Sequence, residues 1–172
     1  MDSTFWVLLS GVVVATAGLG AAYKQLRHLS KQLELADQSN RANVLMNLDK
    51  RYEDILGSRI ALQDLEQEAR EKAKESRNEE EAFLNEMSNS LATIRTTQQQ
   101  KYLLVKQVFD FCETVGFLME RHYVYPKDVN DLWGPSIRDW ACWCRLHITS
   151  RQQIEAREIY KYFLLAAEQC KD

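Results

Sequence analysis

The chain has 172 residues, 45% of them hydrophobic, with 22 Lys+Arg against 25 Asp+Glu and a formal charge of −3. That length supports one ordinary domain with an appendage, and the mildly acidic balance argues against general nucleic-acid binding, which needs a basic surface. Four Cys are too few for a disulfide scaffold, while two Pro and six Gly favour long helices over a turn-rich β fold.

Residues 1–23 read as a transmembrane anchor. No side chain between Ser3 and Tyr23 is charged, and roughly 20 helical residues cover a hydrocarbon core of about 30 Å. Trp6 and Tyr23 stand near the two ends, where amphipathic rings prefer the interface. A cleaved signal peptide would carry a basic segment ahead of its apolar run, whereas the only side-chain charge here is Asp2. Lys24, Arg27, Lys31 and Arg41 follow instead. The positive-inside rule then puts the N-terminus outside and the rest of the chain in the cytoplasm, on a single pass of the inner membrane. Gly11, Ala15, Gly18 and Ala22 stack small side chains along one stripe of the span, the pattern that lets helix backbones approach in lipid. Ser10, Ala17 and Gly20 share a face with Val13 and would line a pore if spans assembled around one.

Residues 24–56 follow as a stalk helix. Leu26, Leu29, Leu33, Ala36, Asn40 and Asn43 recur at alternating spacings of three and four, a coiled-coil-like seam that predicts a homo-oligomer. Val44, Leu45, Leu48, Tyr52, Ile55 and Leu56 then take helical spacing and begin a cytoplasmic core, with a break offered at Gly57-Ser58.

Residues 57–172 are expected to fold as a helical bundle. A second helix starts over Arg59–Leu65. Residues 66–82, with seven acidic and four basic side chains and almost nothing apolar, read as a solvated charged helix or a connection. Between Gln100 and Arg121 two apolar ladders run side by side. One is Tyr102, Val105, Phe109, Cys112, Gly116 and Met119; the other is Leu104, Val108, Phe111, Val115 and Leu118. A helix so apolar around its circumference belongs at the centre of a bundle. Tyr125-Pro126 turns into a short helix ending near Trp133, and Gly134-Pro135 restarts the chain. Ile137, Trp140, Ala141, Cys144 and Ile148 line the next helix, and Ser150-Arg151-Gln152-Gln153 reads as a capping box for a last helix bearing Ile159, Tyr160, Phe163 and Ala167. No convincing period-2 alternation occurs, so the fold class is all-α. The chain reads as a single N-terminal transmembrane helix continuing into a long stalk helix, followed by a compact cytoplasmic helical bundle.

Residues able to carry chemistry are sparse. Cys142-x-Cys144 with His147 has the look of a ligand set, yet on a helix positions 142 and 144 point about 200° apart. Buried, unreactive thiols are the expectation. Many small helical defence proteins that cleave RNA carry an Arg, four to six residues and then a His, and none of His28, His122 and His147 has an Arg at that spacing before it. Arg121-His122 and Arg145 with His147 are at most degraded forms of such a site. Glu113 and Glu120 fall on a polar helix stripe that solvation explains, and the Trp-rich segment 133–143 reads as core. No nucleophile elbow, Walker loop or Gly-x-Gly-x-x-Gly is present. The expectation is a protein that is not an enzyme, with no catalytic residue, metal or cofactor.

Several segments resemble a large bacterial family of unknown function, whose members carry a short membrane helix and a cytoplasmic helical domain. They are Lys-Gln-Leu-Arg (24–27), Gln-Leu-Glu-Leu-Ala (32–36) and Arg-Ala-Asn-Val-Leu-Met-Asn-Leu-Asp-Lys-Arg-Tyr-Glu (41–53). Val-Phe-Asp-Phe-Cys-Glu-Thr-Val-Gly-Phe-Leu (108–118), Tyr-Val-Tyr-Pro-Lys-Asp-Val (123–129) and Leu-Trp-Gly-Pro (132–135) extend the resemblance over nearly the whole chain. In layout alone, span first and helical domain after, the chain is also similar to the membrane accessory proteins of type VI-B CRISPR systems. That likeness implies an oligomeric, pore-type effector or accessory in antiviral defence. Its partners would be the lipid bilayer, further copies of itself and a cytosolic protein or RNA-guided defence partner. The alternative is a non-conducting, membrane-tethered adaptor whose bundle docks a cytosolic partner; an RNA-cleaving helical domain with a degenerate site is a third reading.

Overall fold

The computed structural model describes residues 3–156 and 158–170, with side chains from Tyr23 onward. Among the described residues there are six helices and no strand: α1 (Ser3–Asp54), α2 (Leu56–Ala73), α3 (Glu79–Thr97), α4 (Gln99–Glu120), α5 (Pro126–Ile154) and α6 (Lys161–Gln169). The chain divides into two units, Met1–Asn43 and Val44–Asp172, so the division falls inside the residues read as stalk.

In the first unit, no helix among the described residues is long and apolar enough to cross a membrane. The segment read as the span, with Gly11, Ala15, Gly18 and Ala22 and with Ser10, Ala17 and Gly20, lies outside the residues whose side chains are described. From Tyr23 to Asn40 every side chain is exposed, and Arg41 closes a helical turn with Asp37 at 2.8 Å.

The second unit is an all-α bundle. The end of α1 enters its core: Leu48 is buried, and Val44, Leu45 and Tyr52 pack against the cluster. Tyr52 is the main anchor, its ring 5.5 Å from Phe111, 6.2 Å from Trp133 and 6.1 Å from Trp140. The break after α1 comes at Ile55, ahead of the predicted Gly57-Ser58, and Gly57 sits in the first turn of α2. Ser58 explains the shift, because its buried hydroxyl donates to Gln107 Oε1 at 2.6 Å and ties that first turn to α4.

The charged run is mostly exposed, part helix and part connection, but it also carries a buried face. α2 continues to Ala73, and Leu62, Leu65, Ala69 and Ala73 form one buried stripe. The alanines are the apolar face: small side chains let Phe83, Met87, Leu91 and Ile94 of α3 approach closely. Only residues 74–78 connect the two helices. Glu79, Glu80 and Glu81 then open α3, where negative charge suits the positive end of the helix dipole.

α4 occupies the centre as its twin ladders predict. It packs against α2, α3, α5 and α6, with Val105, Val108, Phe109, Phe111, Cys112 and Val115 buried. The second ladder is shorter than predicted, since Leu104 is exposed. α5 is one continuous helix of 29 residues with Pro135 in its interior, where a break was predicted. Asp131 and Pro135 both lie on the exposed side, so the carbonyl that Pro135 leaves without a donor faces water. Asn130 Oδ1 accepts from Arg138 Nη1 at 2.8 Å and spans the weakened turn. A Cβ on Gly134 would stand 2.3 Å from that same Oδ1, which is why glycine fits between them.

The capping box at 150–153 is not used as one. Those residues continue α5 to Ile154, and α6 starts only after a turn ending at Tyr160, whose φ is 53°. Arg151 and Glu155, one helical turn apart, hold that last turn of α5 together.

Candidate functional site

The predicted stalk interface is an exposed apolar stripe. Leu26, Leu29 and Leu33 are 66%, 53% and 71% exposed, and Ala36 is exposed beside them on the same helix. No described residue of the same chain covers the stripe. Single exposed leucines are ordinary, whereas three at heptad spacing make a continuous apolar strip.

The residues considered for catalysis are dispersed by the fold. Cys142 is exposed and Cys144 buried, so their thiols face different sides of α5. Burial raises the Cys144 and Cys112 thiols far above the ordinary range for cysteine. Arg145 is exposed on α5, 3.9 Å from Glu168, while His147 is only 3% exposed. Arg121 lays its guanidinium 5.5 Å from the Phe117 ring centre. Its neighbour His122 has a backbone role: with φ at 59° it ends α4. Tyr123 N–H returns to Leu118 O at 2.9 Å and His122 N–H to Met119 O at 3.0 Å, the paired bonds of a Schellman motif.

The densest polar constellation lies where α3 turns into α4 beneath the end of α5. Arg151 donates through Nη1 to Tyr102 Oη at 3.0 Å and through Nε and Nη2 to Glu155 at 3.2 and 2.5 Å. Arg95, in the last turn of α3, reaches the same Glu155 carboxylate at 2.5 Å. These hydrogen bonds, that to Arg151 above all, pull Glu155 down to about 2. The Tyr160 ring lies 5.6 Å from the Arg151 guanidinium, and burial pushes its phenol up to about 12. His147 packs against this cluster between the rings of Tyr102 and Phe109. Its Nε2 is buried with no hydrogen-bond partner among the described residues. Burial, then the nearby Arg151 and Arg95 charges, drive its imidazolium pKa down to about 4. The cluster is a staple: it fixes three helix ends with charge-assisted bonds and keeps His147 neutral.

Glu113 was read as a solvated surface carboxylate, and the structure corrects this. It is half-buried, and its Oε2 accepts the backbone N–H of Phe163 at 2.8 Å. Tyr162 N–H bonds it too; burial raises its carboxyl pKa against the pull of these two donors. α6 has no side-chain cap of its own, so a carboxylate from α4 performs that task at the positive end of its dipole. Gly116, one turn further along α4, lets α6 lie down: a Cβ there would stand 1.9 Å from Tyr162 O. At the other end Arg138 donates to the Cys170 carbonyl just past α6. None of these long-range contacts leaves a local spacing signal. The Gly in an otherwise large-residue ladder was the one hint of a close approach.

The chain matches no family model, no curated protein and no solved structure. Its class therefore comes from its own residues: an all-α protein with a helical bundle.

Proposed function

We propose that this protein is an oligomeric, single-span membrane protein that perturbs the bilayer as a pore-type effector or accessory in antiviral defence. The observation that carries the reading is the strip of Leu26, Leu29 and Leu33, exposed at heptad spacing immediately after the uncharged run 3–23. A strip of that kind recruits copies of itself, and it is in register with chains anchored side by side in one membrane. Gly11, Ala15, Gly18 and Ala22 set the contacts between spans, and the narrow wall of Ser10, Ala17 and Gly20 conducts only after a small widening. The bundle supplies no chemistry in this scheme; it sets the symmetry and receives the signal.

A specific observation favours the second reading, a non-conducting tethered adaptor. Tyr123, Tyr125 and Leu132 are all at least half exposed around the turn from α4 into α5, and aromatic residues are enriched in protein–protein contacts. The two readings differ in what the span does. Replacing residues 3–23 by an unrelated Leu-rich anchor should abolish protection from phage if the spans conduct. Protection that survives the exchange selects the adaptor.

A further inference from the structure

Immediately after the uncharged run, α1 carries a basic face. Lys24, Arg27, His28 and Lys31 follow one another at i, i+3, i+4 and i+7 of the helix, and each is exposed. At about 3.6 residues per turn that face lies roughly 180° around α1 from Leu26, Leu29 and Leu33. A seam closed on those leucines therefore leaves the basic side chains on the outside of the assembly. No carboxylate side chain stands between Asp2 and Glu34. Lys24, Arg27 and Lys31 form no ion pair among the described residues, and the first pair along the helix joins Asp37 to Arg41. Even set against Glu34, residues 24–34 keep two positive charges in excess, three from Lys and Arg less one from Glu.

We infer that this face binds the headgroups of anionic phospholipids in the leaflet from which α1 emerges, an inference that rests on the span proposed above. Position and charge both select that partner. At about 1.5 Å per residue, Lys24 to Lys31 covers about 10 Å, close to one Debye length at physiological salt. All three charges then lie within electrostatic reach of a negative surface that begins at Tyr23. Helical side chains lean towards the helix N-terminus, here the membrane side, and long Lys and Arg stems carry their charges back to the interface. Juxtamembrane basic clusters are drawn to anionic leaflets in this way. A zwitterionic headgroup offers no net charge in return, so anionic lipid gathers around α1 in preference to phosphatidylcholine. A polyanion arriving from solution meets a chain of net charge −3, which disfavours nucleic acid on the same face.

The test uses full-length protein in phosphatidylcholine bilayers that contain a trace of spin-labelled phosphatidylglycerol or spin-labelled phosphatidylcholine. Electron paramagnetic resonance measures the fraction of each lipid held motionally restricted at the protein. Phosphatidylglycerol should be enriched several-fold over phosphatidylcholine. The preference should vanish in about 1 M NaCl, where the Debye length falls to about 3 Å, and in Lys24→Gln/Arg27→Gln/Lys31→Gln. Lys24→Arg/Lys31→Arg should keep it, with circular dichroism checking that both variants retain their helix content. Equal fractions of the two lipids at the natural protein overturn the lipid site and leave the span in place. Binding of single-stranded RNA that the triple substitution removes, beside equal lipid fractions, gives the face to nucleic acid instead. A preference that survives the triple substitution lies elsewhere on the chain and overturns the assignment. Protein that washes out of the bilayers in alkaline carbonate, with no restricted lipid of either kind, overturns the span and the lipid site together.

Discussion

At the scale of single residues, glycine placement and one histidine carry sharp consequences. Gly116 and Gly57 both sit in helices, yet a Cβ at Gly116 would collide with the Tyr162 carbonyl while one at Gly57 meets nothing within 4 Å. Gly116→Ala should therefore destabilise the fold by about 1–3 kcal/mol through forced displacement of α6. Gly57→Ala should be neutral or stabilise by roughly 0.5 kcal/mol, because alanine has the better helix propensity. Thermal unfolding of the two full-length variants checks this, and equal shifts in the same direction would contradict the assigned close approach. His147 makes stability depend on pH. Its folded pKa, about 4, lies below the unfolded value of 6.5, so the folded state resists its protonation. The contribution is complete above pH 6.5 and is lost as pH falls towards 4, by up to about 3 kcal/mol. Glu155, pulled down to about 2 from 4.5, acts in a separate and lower window: its stabilisation is present above pH 4.5 and lost below it. Unfolding measured between pH 7 and 5 should show a slope in the natural protein that His147→Leu flattens; an unchanged slope would assign it elsewhere.

At the scale of elements, what the sequence revealed depended on whether the deciding contact was local. The twin ladders of α4 announced a central helix because apolar side chains at a period of 3.6 can only be buried from several sides. In residues 66–82, read as a charged helix or a connection, the part the sequence hid is the buried face of Ala69 and Ala73, which count as weakly apolar in any window and become core only when Phe83 and Met87 arrive. Pro135 predicted a break that the helix avoids by placing the proline on its wet side. The predicted capping box failed because Ser150 and Gln153 form no cap: the end of α5 is set by Arg95 and Arg151 converging on Glu155, a contact between helices distant in sequence. The stalk leucines, in contrast, stand exposed at the spacing the sequence shows, 26, 29 and 33, and their meeting another chain belongs to the proposal. Leu29→Glu with Leu33→Glu should place like charges at facing seam positions and abolish covalent dimers and higher species on chemical cross-linking in membranes. The same substitutions should leave the melting of the bundle unchanged. Cross-linking that persists would remove the stalk from the interface.

At the scale of the whole molecule, the two units divide the work. The bundle buries Trp133, Trp140 and four of its phenylalanines, keeps three of its four cysteines inside and closes the end of α5 with paired charges. The first unit leaves Leu26, Leu29, Leu33 and Leu35 uncovered, and the sequence before them is an uncharged run. On the proposed reading the contacts between protomers lie in the first unit, so assembly can change without unfolding the bundle. The account stands on the membrane end. Its most direct test is the membrane potential of cells expressing the full-length chain, with and without phage infection, beside a Gly11→Leu/Gly18→Leu variant that blocks close approach of the spans. Depolarisation on infection with the natural protein, lost in the variant, is the predicted result. An unchanged potential with protection retained would contradict a membrane-perturbing effector and leave the bundle to act through a docked partner.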